Sequence, residues 1–286
     1  MTTAAYRIDL PARRLTPVVF ASPHSGRDYP ISLRNKAEID LLALRSSEDA
    51  FVDLLFQSAP EAGAPLLSAT APRAFVDLNR AADEFDPALI AGIGRGVNNP
   101  RIASGLGVIP RVVAHGRPIH GGKITLAEAE SRIATVWRPY HAALAGLLAE
   151  SNRDFGESIL LDCHSMPSEA LAAMIPHGAG VPDVVIGDRF GTTAAQTVVA
   201  GVEAAFRRAG LRVQRNQPFA GAYVVQHYGR PSRNQHAVQI EINRALYMDE
   251  ARVEPHAGFD AFRALIAGVV RDLVDLRGGI GALAAE

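Results

Sequence analysis

The chain is short of several things. Its 286 residues include one cysteine, Cys163, so no disulfide can close within it. That fits a reducing cytosol, although one cysteine is also compatible with export. Charge of either sign is not in excess: the formal net charge is -1. With no basic surplus to neutralise phosphates, nucleic acid is not expected as a partner. No apolar run approaches the roughly 20 residues that a membrane span needs. The opening Met1-Thr2-Thr3-Ala4-Ala5-Tyr6-Arg7-Ile8-Asp9 lacks a basic stretch followed by an apolar one, so no secretory signal is read there. Internal repeats, low-complexity tracts and linkers are also missing. The expectation is a soluble cytoplasmic protein with one domain over 1–286.

What is present is enough apolar material for a sizeable core, with 48% hydrophobic and 21% charged residues. Strands are expected at Val18–Ala21, Pro65–Ser68, Ala74–Leu78, Val108–Val113, Ile159–Leu161, Val184–Ile186, Leu211–Gln214, Ala222–Val225 and Ala237–Ile242. Pro110 marks the fourth of these as an edge. Helices are expected from about Ala37 to Ser58, with a start signal at Ser46, from Leu126 to Glu150, from Thr192 to Arg208 with Gly210 beyond its end, and from Phe259 to Leu276 before Gly278-Gly279. Pro139 should split or kink the second. Arg80 to Ala103, with Gly92, Gly94, Gly96, Asn98, Asn99 and Pro100, reads as a long functional loop. Strands alternating with helices predict a three-layer αβα domain around a mostly parallel or mixed sheet.

Two apolar runs each lead to a histidine. Val18-Val19-Phe20-Ala21 precedes Ser22-Pro23-His24-Ser25-Gly26, and Ile159-Leu160-Leu161 precedes Asp162-Cys163-His164-Ser165. Ligand sites in open α/β sheets form at the carboxyl ends of strands. A single loop histidine is more often a turn cap, and two in equivalent places read equally well as the imidazole half of a metal site. A hydrolytic site of this type adds a carboxylate, and Glu48, Asp49, Asp77 and Asp162 are the candidates between the histidines. Glu48 and Asp49, expected in a first helical turn, could simply favour the helix dipole. Asp162 could instead orient an imidazole. Glu241, near the end of an alternating strand, is a general-base candidate, or else an exposed glutamate on an edge. Asn79 and Arg80 end another short run and suit carboxylate recognition, with Arg73, Arg230 and Arg244 as further arginines of that type. Ser25 and Ser165 lack a nucleophile elbow. Cys163 reads as a small buried residue. Gly92-Ile93-Gly94-Arg95-Gly96 lacks the lysine and hydroxyl residue of a phosphate loop.

Five motifs in order resemble the N-formylglutamate amidohydrolase family: Pro23-His24-Ser25-Gly26, Glu48-Asp49-Ala50-Phe51-Val52-Asp53, Phe75-Val76-Asp77-Leu78-Asn79-Arg80, Asp162-Cys163-His164-Ser165 and Gln239-Ile240-Glu241-Ile242-Asn243-Arg244. The resemblance runs from about Val18 to Glu250. It implies a zinc-carboxypeptidase-like (phosphorylase/hydrolase-like) fold related to the aspartoacylase group, and an enzyme of amino-acid catabolism. It implies one Zn2+ held by His24, Asp49 and His164, with Glu48 as the alternative carboxylate. By the same resemblance Glu241 activates water and the pair Asn79 and Arg80 holds a substrate carboxylate; the mechanism read from this adds Arg80 or a neighbouring arginine at the oxyanion, with Arg73, Arg230 and Arg244 as weaker candidates for the substrate carboxylates. The expected substrate is a small N-acyl amino acid, foremost N-formyl-L-glutamate. A related N-acyl-amino-acid amidohydrolase, a carboxypeptidase-like enzyme of other specificity, or a silent binding protein on the same fold are the alternatives.

Overall fold

The structure is a computed structural model, and it describes residues 4–94, 99–174 and 180–278. Gly96 and Asn98 of the expected loop, Arg95, and Gly279 lie outside the described residues. Seven strands form one sheet: β1 (Tyr6–Asp9), β2 (Val18–Ser22), β3 (Leu66–Ala69), β4 (Ser158–Met166), β5 (Val184–Gly187), β6 (Val213–Arg215) and β7 (Gln235–Asn243). Their spatial order is β1-β3-β2-β4-β7-β5-β6. β2 with β4, β4 with β7, and β5 with β6 run parallel, whereas β5 meets β7 antiparallel. The sheet is therefore mixed. Among the described residues, no helix is long and apolar enough to cross a membrane.

Contacts group the chain into two compact units. The larger contains Ile8–Ser22, Phe51–Leu67 and Leu144–Glu286. Its interior strand β4 is buried along its whole length, which is why it begins as an unbroken apolar run. Side chains alternate across a strand, so Ile159, Leu161 and Cys163 share one face of β4 with Val238, Ile240 and Ile242 of β7. Phe56 meets Phe20 of β2 with ring centroids 5.7 Å apart. The helices Gln196–Arg208 and Phe259–Leu273 each bury an apolar stripe, including Val198, Val202 and Phe206 on one and Phe262, Ile266 and Val270 on the other. The other face of β4 and β7 carries Asp162, His164, Gln239 and Glu241.

The smaller unit contains Met1–Arg7, Pro23–Ala50 and Ser68–Ala143. Its core gathers Leu33, Leu44, Ala74, Val113 and Ile119, with Tyr29 and Phe75 packed against them. Long stretches here lack regular structure, and several expectations fail for visible reasons. The helix expected over Ala37–Ser58 is two short ones, Leu41–Arg45 and Val52–Leu55. The first is capped by Asp40 and ends at Ser46, which therefore starts no helix, and the second begins after Phe51 at φ 66, a conformation no helix interior holds. Ala74–Leu78 is no strand, because Phe75 and Val76 turn their amides onto the Pro72 carbonyl. Val108–Val113 contributes only an isolated bridge from Val112 to Pro118. The expected loop contains a single helical turn, Pro100–Ala103, capped by Asn99. Pro139 breaks no helix. Instead Ile133–Trp137 widens into a π-turn between Leu126–Arg132 and Arg138–Phe155. That places the perturbation over the turn where a proline ring would crowd the carbonyl four residues earlier. In the larger unit, Ala222–Val225 is not a strand. Tyr223–Tyr228 is a helix, with Val224 and Val225 buried side by side and not alternating.

Candidate active site

The chain leaves β2 at Ser22 and reaches His24, which is 2% exposed. This turn runs so close to the neighbouring backbone that a Cβ on Gly26 would lie 2.1 Å from the Ala71 carbonyl oxygen. The carbonyl of His24 accepts the Asp49 amide at 2.9 Å, which draws Asp49 out of any helix and beside the imidazole. His24 Nδ1 then lies 3.3 Å from Asp49 Oδ2. On the opposite side of the ring, Nε2 lies 2.7 Å from Asp77 Oδ1. Asp77 also accepts from Arg73 Nε at 3.0 Å and from the Asn79 amide at 2.8 Å. Burial alone would raise the Asp77 pKa, but Arg73, His24 and Arg80 outweigh it and hold the carboxyl well below its usual range. An ionised Asp77 accepts from Nε2, which leaves Nδ1 as the ring nitrogen that faces Asp49.

His164 sits inside β4 and not after it, and Glu241 lies within β7 as expected. β4 and β7 pair in parallel register with His164 opposite Glu241 and Asp162 opposite Gln239. β7 is an interior strand, so Glu241 is not the exposed edge residue that the alternative reading required. Gln239 Nε2 donates to Glu241 Oε1 at 2.8 Å, and Gln239 Oε1 accepts the Ala222 amide at 3.1 Å. This fixes both the amide orientation of Gln239 and the side chain of Glu241. Asp162 Oδ2 lies 3.0 Å from His164 Nε2. The contact is close but poorly aligned, and neither Asp162 oxygen has a hydrogen-bond partner among the described residues. A fully buried carboxylate left this way is costly unless a positive charge lies nearby.

One nitrogen of His24, one of His164 and one carboxylate oxygen of Asp49 lie within 4.8 Å of one another, and all three residues are buried. Two imidazoles and a carboxylate converging this closely are a donor set for a divalent metal. The family model of N-formylglutamate amidohydrolase matches residues 16–248. The chain belongs to the N-formylglutamate amidohydrolase family. It is 31% identical over 273 residues to the N-formylglutamate deformylase of Pseudomonas aeruginosa, covering 92% of this chain and 93% of that one. To the N-formylglutamate deformylase of Pseudomonas putida it is 27% identical over 239 residues, 82% of each chain. The crystal structure of N-formylglutamate amidohydrolase from Ralstonia eutropha JMP134 superposes with a TM-score of 0.89 at 35% identity, covering 95% of this chain and 98% of that one. As a member of this amidohydrolase family the chain is a hydrolase acting on an amide.

The remaining expected residues of this family member separate by their partners. Glu48, the alternative carboxylate, is engaged elsewhere: it accepts from Tyr29 Oη at 2.8 Å and from Arg45 Nε at 3.1 Å. Burial pushes its pKa up despite those two donors. Arg80 is buried, and its Nε lies 3.9 Å from Asp77 and makes no hydrogen bond among the described residues. Arg244 donates from Nε to Ser165 Oγ at 3.1 Å, and Arg230 is exposed. Sequence reasoning had no signal for Gln239 as the residue that fixes Glu241, since a strand glutamine reads as ordinary polar alternation. It also left Asp77 among four open carboxylates, because its contact with His24 joins residues 53 apart.

Proposed function

We propose that this amidohydrolase cleaves N-formyl-L-glutamate to formate and L-glutamate, using one Zn2+ held by His24, Asp49 and His164. The whole chain, 1–286, is read as one catalytic domain, in keeping with the span of the family match over 16–248. The observation that carries the proposal is the convergence of the two imidazoles and Asp49, with Glu241 in register beside His164. The unpaired Asp162 carboxylate beside His164 supports a cation there. Mixed imidazole and carboxylate donors favour zinc over the harder magnesium or calcium. The Pseudomonas relatives, both N-formylglutamate deformylases, support the substrate.

When bound, such an ion supplies Lewis-acid activation of water and of the amide carbonyl. The protein's own groups do the rest. Glu241, held by Gln239, takes the proton from the attacking water as its oxygen bonds to the formyl carbon. It returns that proton to the glutamate nitrogen as the C–N bond breaks, so that formate and a free amine leave. The Arg80 guanidinium supplies positive charge toward negative charge on the substrate, and Asn79 beside it adds an amide donor. Arg73, Arg230 and Arg244 are the other cations of this chain read toward the substrate carboxylates.

The test is formate release from N-formyl-L-glutamate by the zinc-loaded chain, with N-acetyl-L-glutamate in parallel. Glu241→Gln should retain stoichiometric zinc and lose roughly 100-fold or more in turnover. Acetate release in place of formate release would assign the related N-acyl specificity. Full activity in Glu241→Gln would reject the general-base role.

A further inference from the structure

The segment that carries Asn79 and Arg80 has no regular structure, yet both residues are buried and Arg80 must keep one geometry to serve an anionic substrate. Its rigidity comes from a helical stretch on the same unit. Arg132 NH1 donates to the Phe75 carbonyl at 3.3 Å, with its guanidinium 4.4 Å from the centre of the Phe75 ring. The indole N–H of Trp137 donates to the Arg80 carbonyl at 2.9 Å. His141 Nε2 donates to the Leu78 carbonyl at 2.9 Å. The Trp137 and His141 rings are stacked, with centroids 3.9 Å apart. The two donors therefore bracket Asn79 from both sides. Trp137 is the last residue of the π-turn Ile133–Trp137, and π-turns recur where a side chain is re-aimed for function.

We infer that Trp137 and His141 are positioning residues, whose stacked rings hold the Leu78–Arg80 backbone so that Arg80 meets the substrate. The inference rests on the amidohydrolase reading of the site. Neither ring needs to touch substrate, because each acts through a backbone carbonyl. A misplacement of about 1 Å in such a group is costly to turnover.

Steady-state formate release from N-formyl-L-glutamate by the zinc-loaded full chain tests this. Trp137→Phe keeps an aromatic face for His141 and removes the N–H. His141→Leu removes the donor to Leu78, and His141→Gln restores a donor of similar reach. In both Trp137→Phe and His141→Leu, kcat/KM should fall about tenfold. In His141→Gln it should stay within about threefold of wild type. Zinc content should be unchanged in all three. On an Arg80→Ala background, Trp137→Phe and His141→Leu should add no further loss, because their effect runs through Arg80. Equal losses on both backgrounds, or His141→Gln as impaired as His141→Leu, would overturn the inference while leaving the amidohydrolase reading intact. A wild-type chain that releases no formate would overturn that reading and the inference with it. If Trp137→Phe does not fold, the His141 pair and its Arg80→Ala counterparts decide the matter alone.

Discussion

Replacing Asp77 with asparagine isolates the role of a residue that would hold no metal itself. Asp77 is buried and binds the Nε2 side of His24 at 2.7 Å through Oδ1, which also accepts the Asn79 amide, while Oδ2 accepts from Arg73. Asparagine is nearly isosteric but keeps one acceptor oxygen. Its amide group must face either the His24 ring or the Arg73 guanidinium, donor against donor. Hydrogen bonds to charged groups are worth about 1.5–3 kcal/mol each. If the loss falls on the orientation of His24, that range corresponds to about 10- to 100-fold in metal affinity, the range typical of residues behind a ligating histidine. Screening by solvent should be small, since Asp77 is 1% exposed. The assay is zinc affinity by competition with a chromogenic chelator, with far-UV circular dichroism and a thermal melt as controls on folding. An Asp77→Asn protein that folds as wild type and binds zinc within about twofold of it would refute the orientation argument.

Two further outcomes follow from other parts of the molecule. Gly26→Ala forces a Cβ to 2.1 Å from the Ala71 carbonyl oxygen, a contact that only backbone movement relieves. It should destabilise the protein by about 1–3 kcal/mol or more in chemical denaturation, and an unchanged midpoint would contradict the close approach. Asp183 is held by Arg212 at 2.9 Å, and although burial alone would raise its pKa, that arginine and its hydrogen bonds lower it. Because the folded value lies below the unfolded one, its stabilisation is present above the unfolded pKa of about 3.9 and lost as the pH falls through the folded value. Asp183→Asn should therefore weaken the protein at neutral pH and flatten the acid limb of its stability profile. A variant that tracks wild type across that limb would show the pair to be energetically silent.

The parts legible in the sequence are those whose signal is local. The strand β2 and the first half of β4 announce themselves as apolar runs, as interior strands covered on both faces do, and β7 shows instead as the alternation of Val238, Ile240 and Ile242 with polar residues. The helices Gln196–Arg208 and Phe259–Leu273 show a 3.6-residue stripe, and Gly210 sits just past the first at φ 82. The smaller unit is less legible because its order comes from turn and cross-segment backbone bonds that leave no periodicity. The Phe75 and Val76 amides turn onto Pro72, and Asp49 is drawn to the His24 carbonyl, in segments that otherwise resemble a strand and a helix. The helix Tyr223–Tyr228 is built from Tyr and Val, which favour strands, and burial of the consecutive valines overrides that preference.

The sequence alone determined that this chain has a mixed α/β core, that His24 and His164 leave or lie on buried strands, and that Glu241 belongs to the same face as Gln239. These follow from residue type and alternation, which neighbours along the chain set. Only the tertiary structure decided that Asp49 and not Glu48 stands with the histidines, because Glu48 is taken by Tyr29 and Arg45. It also decided that Asp77 meets His24, that Gln239 meets Glu241, and that Trp137 and His141 donate to the Arg80 and Leu78 carbonyls. Those choices depend on which hydrogen-bond partner arrives from a distant segment, and chain order carries no local trace of that encounter.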